Sequence, residues 1–252
     1  MKMTQQETFD RVLRLWRSAL HDKEQSWGPK FKAYYPFALD MPGLSWSLFL
    51  GETLEKKDLL LMEENFKKER PEIKKPFISI PTFRNGVDGS LLEELGYEKE
   101  KKEFYCFTAQ EFSAPVLEEY TVYAGDFEDL EIFKDYSKMT IDIFKLSDDT
   151  IPQFNRTFNR ELGRMSRILN FKKGEQFVGT ACMSILDDIC WLYGGSVYEA
   201  FRGKGTWRAM IRARQDFSKT LGAKLYFLQT AHPYLARNFE SVIEIQSYRK
   251  HD

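Results

Sequence analysis

One stretch of the sequence has the residue types and the spacing that bind anions. Gly203 and Gly205 stand between an apolar, strand-like run and a helix-like run. Glycine tolerates positive φ and lets backbone amides turn toward one point, while a helix N-terminus adds a partial positive charge. The spacing therefore predicts a cradle for a phosphate or pyrophosphate. The sequence contains neither a P-loop motif nor a dinucleotide-binding fingerprint.

The residues after the glycines are strongly basic. Residues 202–224 contain one acid, Asp216, and seven basic residues: Arg202, Lys204, Arg208, Arg212, Arg214, Lys219 and Lys224. Apolar residues recur at helical spacing on the other side of the same segment, beginning with Trp207. Strand, arginine, glycines and basic helix together favour an anion site over a merely solvated basic helix.

The surrounding elements alternate in type. Strands are predicted at Leu117–Tyr123, Phe177–Leu186, Ile189–Tyr193 and Lys224–Gln229, with a final strand at Val242–Tyr248. Helices are predicted from Asp126, from about Gly205 to Leu221, and through a periodic apolar series: Phe154, Phe158, Leu162, Met165 and Leu169. Mixed helices and strands occur in both halves, and Ser113-Ala114-Pro115 is the best boundary. The predicted domains are residues 1–113 and 114–252.

Arg202-Gly203-Lys204-Gly205 resembles the Arg/Gln-x-x-Gly-x-Gly/Ala signature of the GCN5-related N-acetyltransferases (GNAT), and the order of elements over about 116–252 is similar to theirs. The resemblance implies an α/β (α+β) fold, with a mixed, mostly antiparallel sheet flanked by helices. It also implies acetyl-CoA as co-substrate, without a metal. The implied cofactor-binding residues are Gly195, Val197, Arg202, Gly203, Lys204, Gly205, Thr206 and Trp207.

The sequence departs from this family at four positions. Trp207 replaces a small residue, and Ile243 replaces a glycine. Phe239 stands where the family often has a tyrosine that protonates the leaving thiolate, and Trp191 falls near a frequent base position. Trp207 fits if its ring turns into the core, because only its amide is needed for phosphate. Cofactor binding is thus better supported than chemistry.

Nearby side chains are candidates for the missing proton donor. His232 and Tyr234 flank Pro233 just after the fifth strand of the resemblance, and Tyr193 in the fourth strand is a third candidate. A histidine has an unperturbed pKa suited to proton transfer, and a tyrosine hydroxyl can donate. Each also has a structural alternative: a helix-capping or surface histidine, and tyrosines that only pack.

The N-terminal half resembles a degenerate copy of the same fold, so that the chain would hold tandem GNAT-like domains. Its segment Leu91–Tyr97 is similar to the family's Leu-Gly-Tyr ending. Gly51 to Asp58, where a cradle is expected, lacks spaced glycines and is partly acidic. The residues 1–113 are therefore predicted not to bind CoA.

Composition bounds the remaining classes. The 252 residues carry a net charge of -1, which argues against a broad nucleic-acid-binding surface. No apolar run approaches the ~18 residues of a membrane span, and no signal peptide is present, so a cytoplasmic protein is expected. Three widely spaced cysteines, Cys106, Cys182 and Cys190, indicate buried thiols rather than metal ligands.

The prediction is an N-acetyltransferase that transfers acetyl from acetyl-CoA to a small amine or peptide acceptor of unknown identity. A non-catalytic acyl-CoA-binding or regulatory module is the alternative, because of Phe239 and Trp191. A purely structural protein that keeps only the fold is a third possibility, against which the cradle argues. The sequence does not determine the oligomeric state.

Overall fold

A computed structural model describes most of the chain: residues 2–20, 24–26, 28–34, 46–69, 77–84, 87, 89–161 and 165–250. Its helices are α1 (Gln5–Leu20), α2 (Lys56–Glu69), α3 (Gly89–Glu94), α4 (Leu130–Phe144), α5 (Thr150–Glu161), α6 (Thr206–Lys219) and α7 (Pro233–Ala236). Its strands are β1 (Glu24–Ser26), β2 (Phe31–Tyr34), β3 (Trp46–Phe49), β4 (Phe77–Pro81), β5 (Tyr97–Thr108), β6 (Thr121–Gly125), β7 (Ser166–Lys173), β8 (Gln176–Leu186), β9 (Ile189–Val197), β10 (Leu225–Thr230) and β11 (Ser241–Lys250). The predicted mixed α+β class is confirmed.

The chain divides into two compact units by contact. One unit holds residues 107–229, and the other holds residues 2–106 together with 230–252. The division lies close to the boundary predicted at 113/114 but sends the last segment to the N-terminal unit. The physical reason is strand pairing, because β11 pairs antiparallel with β4, with Ile245 opposite Pro81 and Arg249 opposite Phe77. Pairing between segments so distant in sequence leaves no local signal.

The unit of residues 107–229 is built on the sheet order β6-β7-β8-β9-β10. The first three pairings are antiparallel, and β10 is parallel to β9. Helix α4 packs its apolar face on one side of this sheet, where Phe127, Phe133, Tyr136, Ile168 and Cys182 form a buried cluster. The carboxylate of Asp129 begins α4 by accepting the amides of Glu131 and Ile132.

Two local predictions in this unit are wrong. The sequence predicts a helix that continues through Met165 and Leu169, but α5 ends at Glu161 and β7 begins at Ser166. Phe154 and Phe158 lie on α5, whereas Leu162 lies outside the described residues. Strand β7 pairs with β6 and β8, and most of its residues are buried, so its apolar residues stand at spacings that also fit a helix. Likewise, Leu117–Glu119 forms a 3-10 turn before β6 rather than a strand.

Within the unit of residues 2–106 and 230–252, the strands follow the order β1-β2-β3-β4-β11-β5. Its core includes Phe31, Phe49, Leu59 and Met62, and Tyr248 of β11 belongs to the same cluster. The C-terminal strand β11 thus contributes to the core of this unit. Strand β2 is formed by Phe31–Tyr34, and residues 35–45 lie outside the described residues.

Candidate functional site

Strand β9 diverges from β10 halfway along its length. In the described part of the chain, the parallel register joins Ile189–Leu192 to Leu225–Leu228 and ends there. Strand β9 nevertheless continues to Val197 along β8. From residue 193 onward its outer edge therefore faces a gap in the ladder, where backbone groups are available to a ligand.

A β-bulge lies at the start of this divergent segment. The register between β8 and β9 shifts between Thr180 and Cys182, so that Gly194 and Gly195 together oppose one residue, Ala181. Gly194 has φ of 58°, a left-handed conformation that glycine adopts without steric cost. A side chain there would also approach Cys182 Sγ at 3.3 Å. The backbone conformation thus accounts for the glycine at position 194.

The direction of two amides on this edge follows from the register. The amide of Tyr198 donates to the carbonyl of Val178, so Tyr198 faces β8 and Val197 faces away from it. The amide of Ile185 donates to the carbonyl of Met165, so Ile185 faces β7 and, by alternation along β8, Cys182 faces β9. Its partner Tyr193 therefore points its carbonyl back at β8. In a trans peptide the following amide, that of Gly194, points the opposite way. The amides of Gly194 and Val197 therefore both face the gap.

The predicted anion cradle forms the turn between β9 and α6. Gly203 has φ of 73°, and Gly205, the N-cap of α6, has φ of 81°. The amides of residues 203–207 donate to no acceptor within the described residues, and no side chain caps the helix. Backbone donors at a helix N-terminus are groups of the kind that bind anions in proteins. A Cβ on Gly203 would meet no atom within 4 Å, so the cradle is open on that side.

The predicted charged side chains at this turn are not all aimed at the cradle. Arg202 donates its Nε to the carbonyl of Val197 at 3.0 Å, which fastens the turn to the end of β9. Lys204 is exposed, with its ammonium 5.9 Å from the ring of Phe201. The Lys204 side chain is therefore exposed beside the turn, whereas Arg202 bonds to a main-chain carbonyl.

Thr206 and Trp207 contribute their backbone rather than their side chains. The Thr206 hydroxyl donates to the carbonyl of Phe201 at 2.9 Å and lies 3.0 Å from the hydroxyl of Tyr120. The Trp207 ring packs edge-on against Phe112 at 5.9 Å between ring centroids. The large residue at position 207 therefore leaves the amides of the turn accessible, as the sequence analysis required.

The basic face of α6 is largely neutralised by acids. Arg212 forms ion pairs with Glu111 and with Asp216, and Lys219 also pairs with Glu111. These cations lie beyond the first turn of the helix and have local partners. Only the first turn of α6, and not the whole helix, is therefore expected to support anion binding.

Arg214 is a functional candidate that the sequence did not single out. It is 1% exposed, and no carboxylate pairs with it in the part of the chain that the structure describes. Its guanidinium donates to the carbonyls of Met210, Cys182 and Tyr193, at 3.1, 3.0 and 3.3 Å. Burial lowers the pKa of Arg214 to about 10, so it stays protonated at neutral pH. Only the tertiary structure separates it from the neighbouring surface arginines.

Tyr193 has a structural environment. Its hydroxyl lies 3.1 Å from Ser184 Oγ and also donates to the side-chain carbonyl of Asn159 on α5. Burial raises the pKa of Tyr193 well above its ordinary value. The phenol therefore links β9 to α5 as a neutral donor, which accounts for it without a role in proton transfer.

His232 and Tyr234 lie in the other unit, at the start of α7. Both are exposed, Tyr234 by 61%, and their rings stand 5.4 Å apart. His232 occupies the N-cap position, but its side chain makes no capping bond. Phe239, in the position of the family's tyrosine, is buried. The two candidates are thus exposed side chains that lie two and four residues after the end of β10.

The N-terminal segment Gly51–Asp58 contains an internal anion at a helix start. Asp58, in the first turn of α2, accepts the amide of Glu55 at 2.9 Å and the ammonium of Lys30 at 2.8 Å. Burial alone would raise the pKa of Asp58, but the bonds from Lys30 and Glu55 lower it overall. This helix N-terminus is therefore satisfied by a carboxylate of the protein itself.

The cysteines are buried free thiols, as predicted. Burial raises the pKa of Cys106 and of Cys182 to about 12 and that of Cys190 to about 11, so all three are unreactive thiols at neutral pH. No cluster of three or more metal-ligating side chains occurs among the described residues. None of the helices in the described ranges has the length and apolarity to cross a membrane.

Comparison with solved structures identifies the fold class. A GCN5-related N-acetyltransferase from Kribbella flavida aligns with a TM-score of 0.60 at 14% identity, covering 100% of this chain and 97% of that one. One from Sphaerobacter thermophilus aligns at 0.61 and 15%, covering 96% and 84%. A tandem GNAT protein from the clavulanic acid biosynthesis pathway aligns at 0.52 and 9%, covering 99% and 96%. At such identities the likeness establishes the GNAT fold.

A family model matches part of the sequence. Residues 130–239 match the model of the acetyltransferase (GNAT) family, a range that contains α4, the bulge, the cradle and α6. The chain therefore contains a GNAT domain, and the family implies acyl transfer from an acyl-CoA. No curated protein matches the chain.

Proposed function

We propose that this protein is an N-acyltransferase that moves an acetyl group from acetyl-CoA to an amine. The observation that carries the proposal is the divergence of β9 from β10, which leads directly into an uncapped helix N-terminus. A gap lined by backbone amides suits the amide-containing pantetheine arm. A turn with five free amides suits a pyrophosphate.

The proposed co-substrate site distributes its contacts along β9 and the turn. The amide of Val197 is assigned to a carbonyl of the pantetheine arm, because it faces the gap. The amides of Gly203 to Trp207, with Lys204 beside them, are assigned to the pyrophosphate. Arg202 holds the turn in place through its bond to Val197. The Gly195 backbone forms the bulge next to the thioester.

The chemistry is direct attack of a neutral amine on the thioester carbonyl. The amide of Gly194 is assigned to the oxygen on which negative charge develops. The amine loses a proton to a base or to water, and the thiolate of CoA leaves. A thiol pKa near 8.5 makes this thiolate a moderately good leaving group, so a general acid is assigned a modest effect. Tyr234 is the preferred donor and His232 the alternative.

The second candidate function is a non-catalytic acyl-CoA-binding or regulatory module. It is favoured by Phe239, which is buried and has no proton to donate, and by Trp191, whose ring packs against Phe227. Such a module would bind CoA through the same amides but would release no CoA from acetyl-CoA in the presence of an amine.

We also infer that the unit of residues 2–106 and 230–252 binds no CoA, because Asp58 already occupies the start of α2. It remains a proposal that this unit descends from a second GNAT domain. The cytoplasm is the proposed location, since three free thiols suit a reducing compartment.

The proposal is tested by mixing the purified protein with acetyl-CoA and pools of small amines, polyamines, aminoglycosides and peptide N-termini. Mass spectrometry would detect a product heavier by one acetyl group, and a thiol reagent would detect free CoA. Acetylation of one amine class is expected. Tight CoA binding, measured by calorimetry, with no product from any pool would instead support the non-catalytic module.

Substitution of Tyr234 by Phe is expected to lower kcat by about a hundredfold, the lower end of the range for general acid catalysis, with no change in CoA affinity. The hydroxyl is exposed, so its loss is not expected to affect folding. The variant His232→Ala tests the alternative donor in parallel. A fall in kcat with His232→Ala alone would move the role to His232, and unchanged kcat in both variants would refute both assignments.

A further inference from the structure

Arg214 is placed to act on the reactive part of the proposed site without touching the substrates. It extends from α6 to the carbonyls of Cys182 and Tyr193, which are paired residues of β8 and β9 beside the bulge. A Cβ on Gly195 would lie 3.5 Å from the same guanidinium. A single buried cation therefore contacts both strands where β9 changes direction.

A buried guanidinium without a carboxylate partner is costly, because desolvation of its charge is repaid only by hydrogen bonds. Here the compensation comes from main-chain carbonyls, each of which presents the negative end of a peptide dipole. The carbonyl of Tyr193 belongs to the same peptide group as the amide of Gly194. A cation bonded to that carbonyl fixes the plane of the peptide and polarises its N–H, which makes the amide a stronger donor.

We propose that Arg214 is a positioning residue that orients and polarises the Gly194 amide toward the oxygen of the thioester carbonyl. This inference rests on the proposed function, since it requires an acyl-CoA in the gap beside β9. The guanidinium lies on the carbonyl side of the peptide, whereas the amide faces the gap. Arg214 thus stabilises the negative charge that develops on the thioester oxygen through one peptide group, without touching the substrate.

The test measures the carbonyl stretching frequency of acetyl-CoA, labelled with ¹³C at the carbonyl, bound to the full-length protein without an amine. A polarising donor lowers this frequency, whereas a role confined to stability leaves it unchanged. Arg214→Met keeps an unbranched apolar side chain and removes the charge, and Arg214→Lys keeps the charge without the paired donors. Arg212→Met, on the surface of the same helix, is the matched control.

The bound carbonyl is expected to shift to lower frequency in the unmodified protein and in Arg212→Met. The shift is expected to shrink in Arg214→Lys and to be smallest in Arg214→Met. With an accepted amine, kcat should fall about tenfold to a hundredfold in Arg214→Met, below the loss of a direct oxyanion donor, with CoA affinity changed less than threefold.

An unchanged carbonyl frequency in Arg214→Met would overturn the inference, even if that variant were less stable. If Arg214→Met does not fold, Arg214→Lys decides, and a frequency there equal to that of the unmodified protein would overturn the inference. Absence of acetyl-CoA binding to the unmodified protein is a separate outcome that refutes the proposed function itself.

Discussion

Gly203→Asp is expected to weaken CoA binding by at least about a hundredfold. Gly203 stands at the open side of the turn, where a new side chain meets no atom within 4 Å. A carboxylate there lies among the amides assigned to the pyrophosphate. Two charges about 4 Å apart interact by about 4 kcal/mol near a protein surface, and each 1.4 kcal/mol changes affinity tenfold. The full interaction would weaken CoA affinity by nearly a thousandfold, and screening by solvent and salt at the exposed turn reduces this to about a hundredfold.

The matched control is Gly222→Asp at the opposite end of α6. Gly222 also has a left-handed φ, 91°, and also has no atom within 4 Å of a built Cβ. Both substitutions therefore carry a similar backbone cost of about 1–2 kcal/mol, but only one places a charge in the cradle. Titration calorimetry with CoA at constant ionic strength would compare them. Equal affinities in the two folded variants would refute the assignment of the cradle.

Gly179→Ala is expected to destabilise the protein by about 3 kcal/mol and to weaken CoA binding more than tenfold. A Cβ at this position would lie 2.3 Å from the carbonyl oxygen of Ser196 and 3.2 Å from Cα of Val197. Both atoms are backbone, so β8 and β9 must separate next to the bulge, an overpacking cost of about 1–3 kcal/mol or more. The same separation displaces the Val197 amide from the gap.

Thermal unfolding and calorimetry with CoA would measure both effects. At this chain length, 3 kcal/mol corresponds to a fall in Tm of about 6–12 °C. Gly174→Ala is the control, because Gly174 has φ of 58° and nothing within 4 Å. It should cost about 1 kcal/mol and leave CoA affinity unchanged. Normal stability in Gly179→Ala would show that the two strands do not require this close approach.

Local sequence signals predicted the backbone conformation of the glycine turn and the start of the helix after it. Glycines at 203 and 205 both adopt positive φ, and α6 begins at Thr206, one residue from the predicted start. Strands β8, β9 and β10 lie where apolar runs and a tight turn placed them. These features depend on backbone conformation and on short-range periodicity, which neighbouring residues specify. The family match over residues 130–239 rests on the same segment.

Long-range features escaped the sequence because their partners are distant. Strand β7 has a pattern that also fits a helix, and only its pairing with β6 and β8 decides between them. The C-terminal strand β11 joins β4, which lies more than a hundred and fifty residues earlier. In the sequence Asp58 does not differ from the other acids of its segment. Only the structure shows that Lys30 and the amide of Glu55 donate hydrogen bonds to it.

By itself, the sequence predicted a glycine turn that leads into a helix at residues 203–207, within a GNAT-like succession of elements, because glycine conformation and helix initiation are local properties. The tertiary structure decided how that turn becomes a site. Only strand register shows that the amides of Gly194 and Val197 face the same gap. Only packing shows that Arg214, one of seven basic residues in its segment, is buried against the bulge, since burial depends on contacts between strands and helices far apart in the chain.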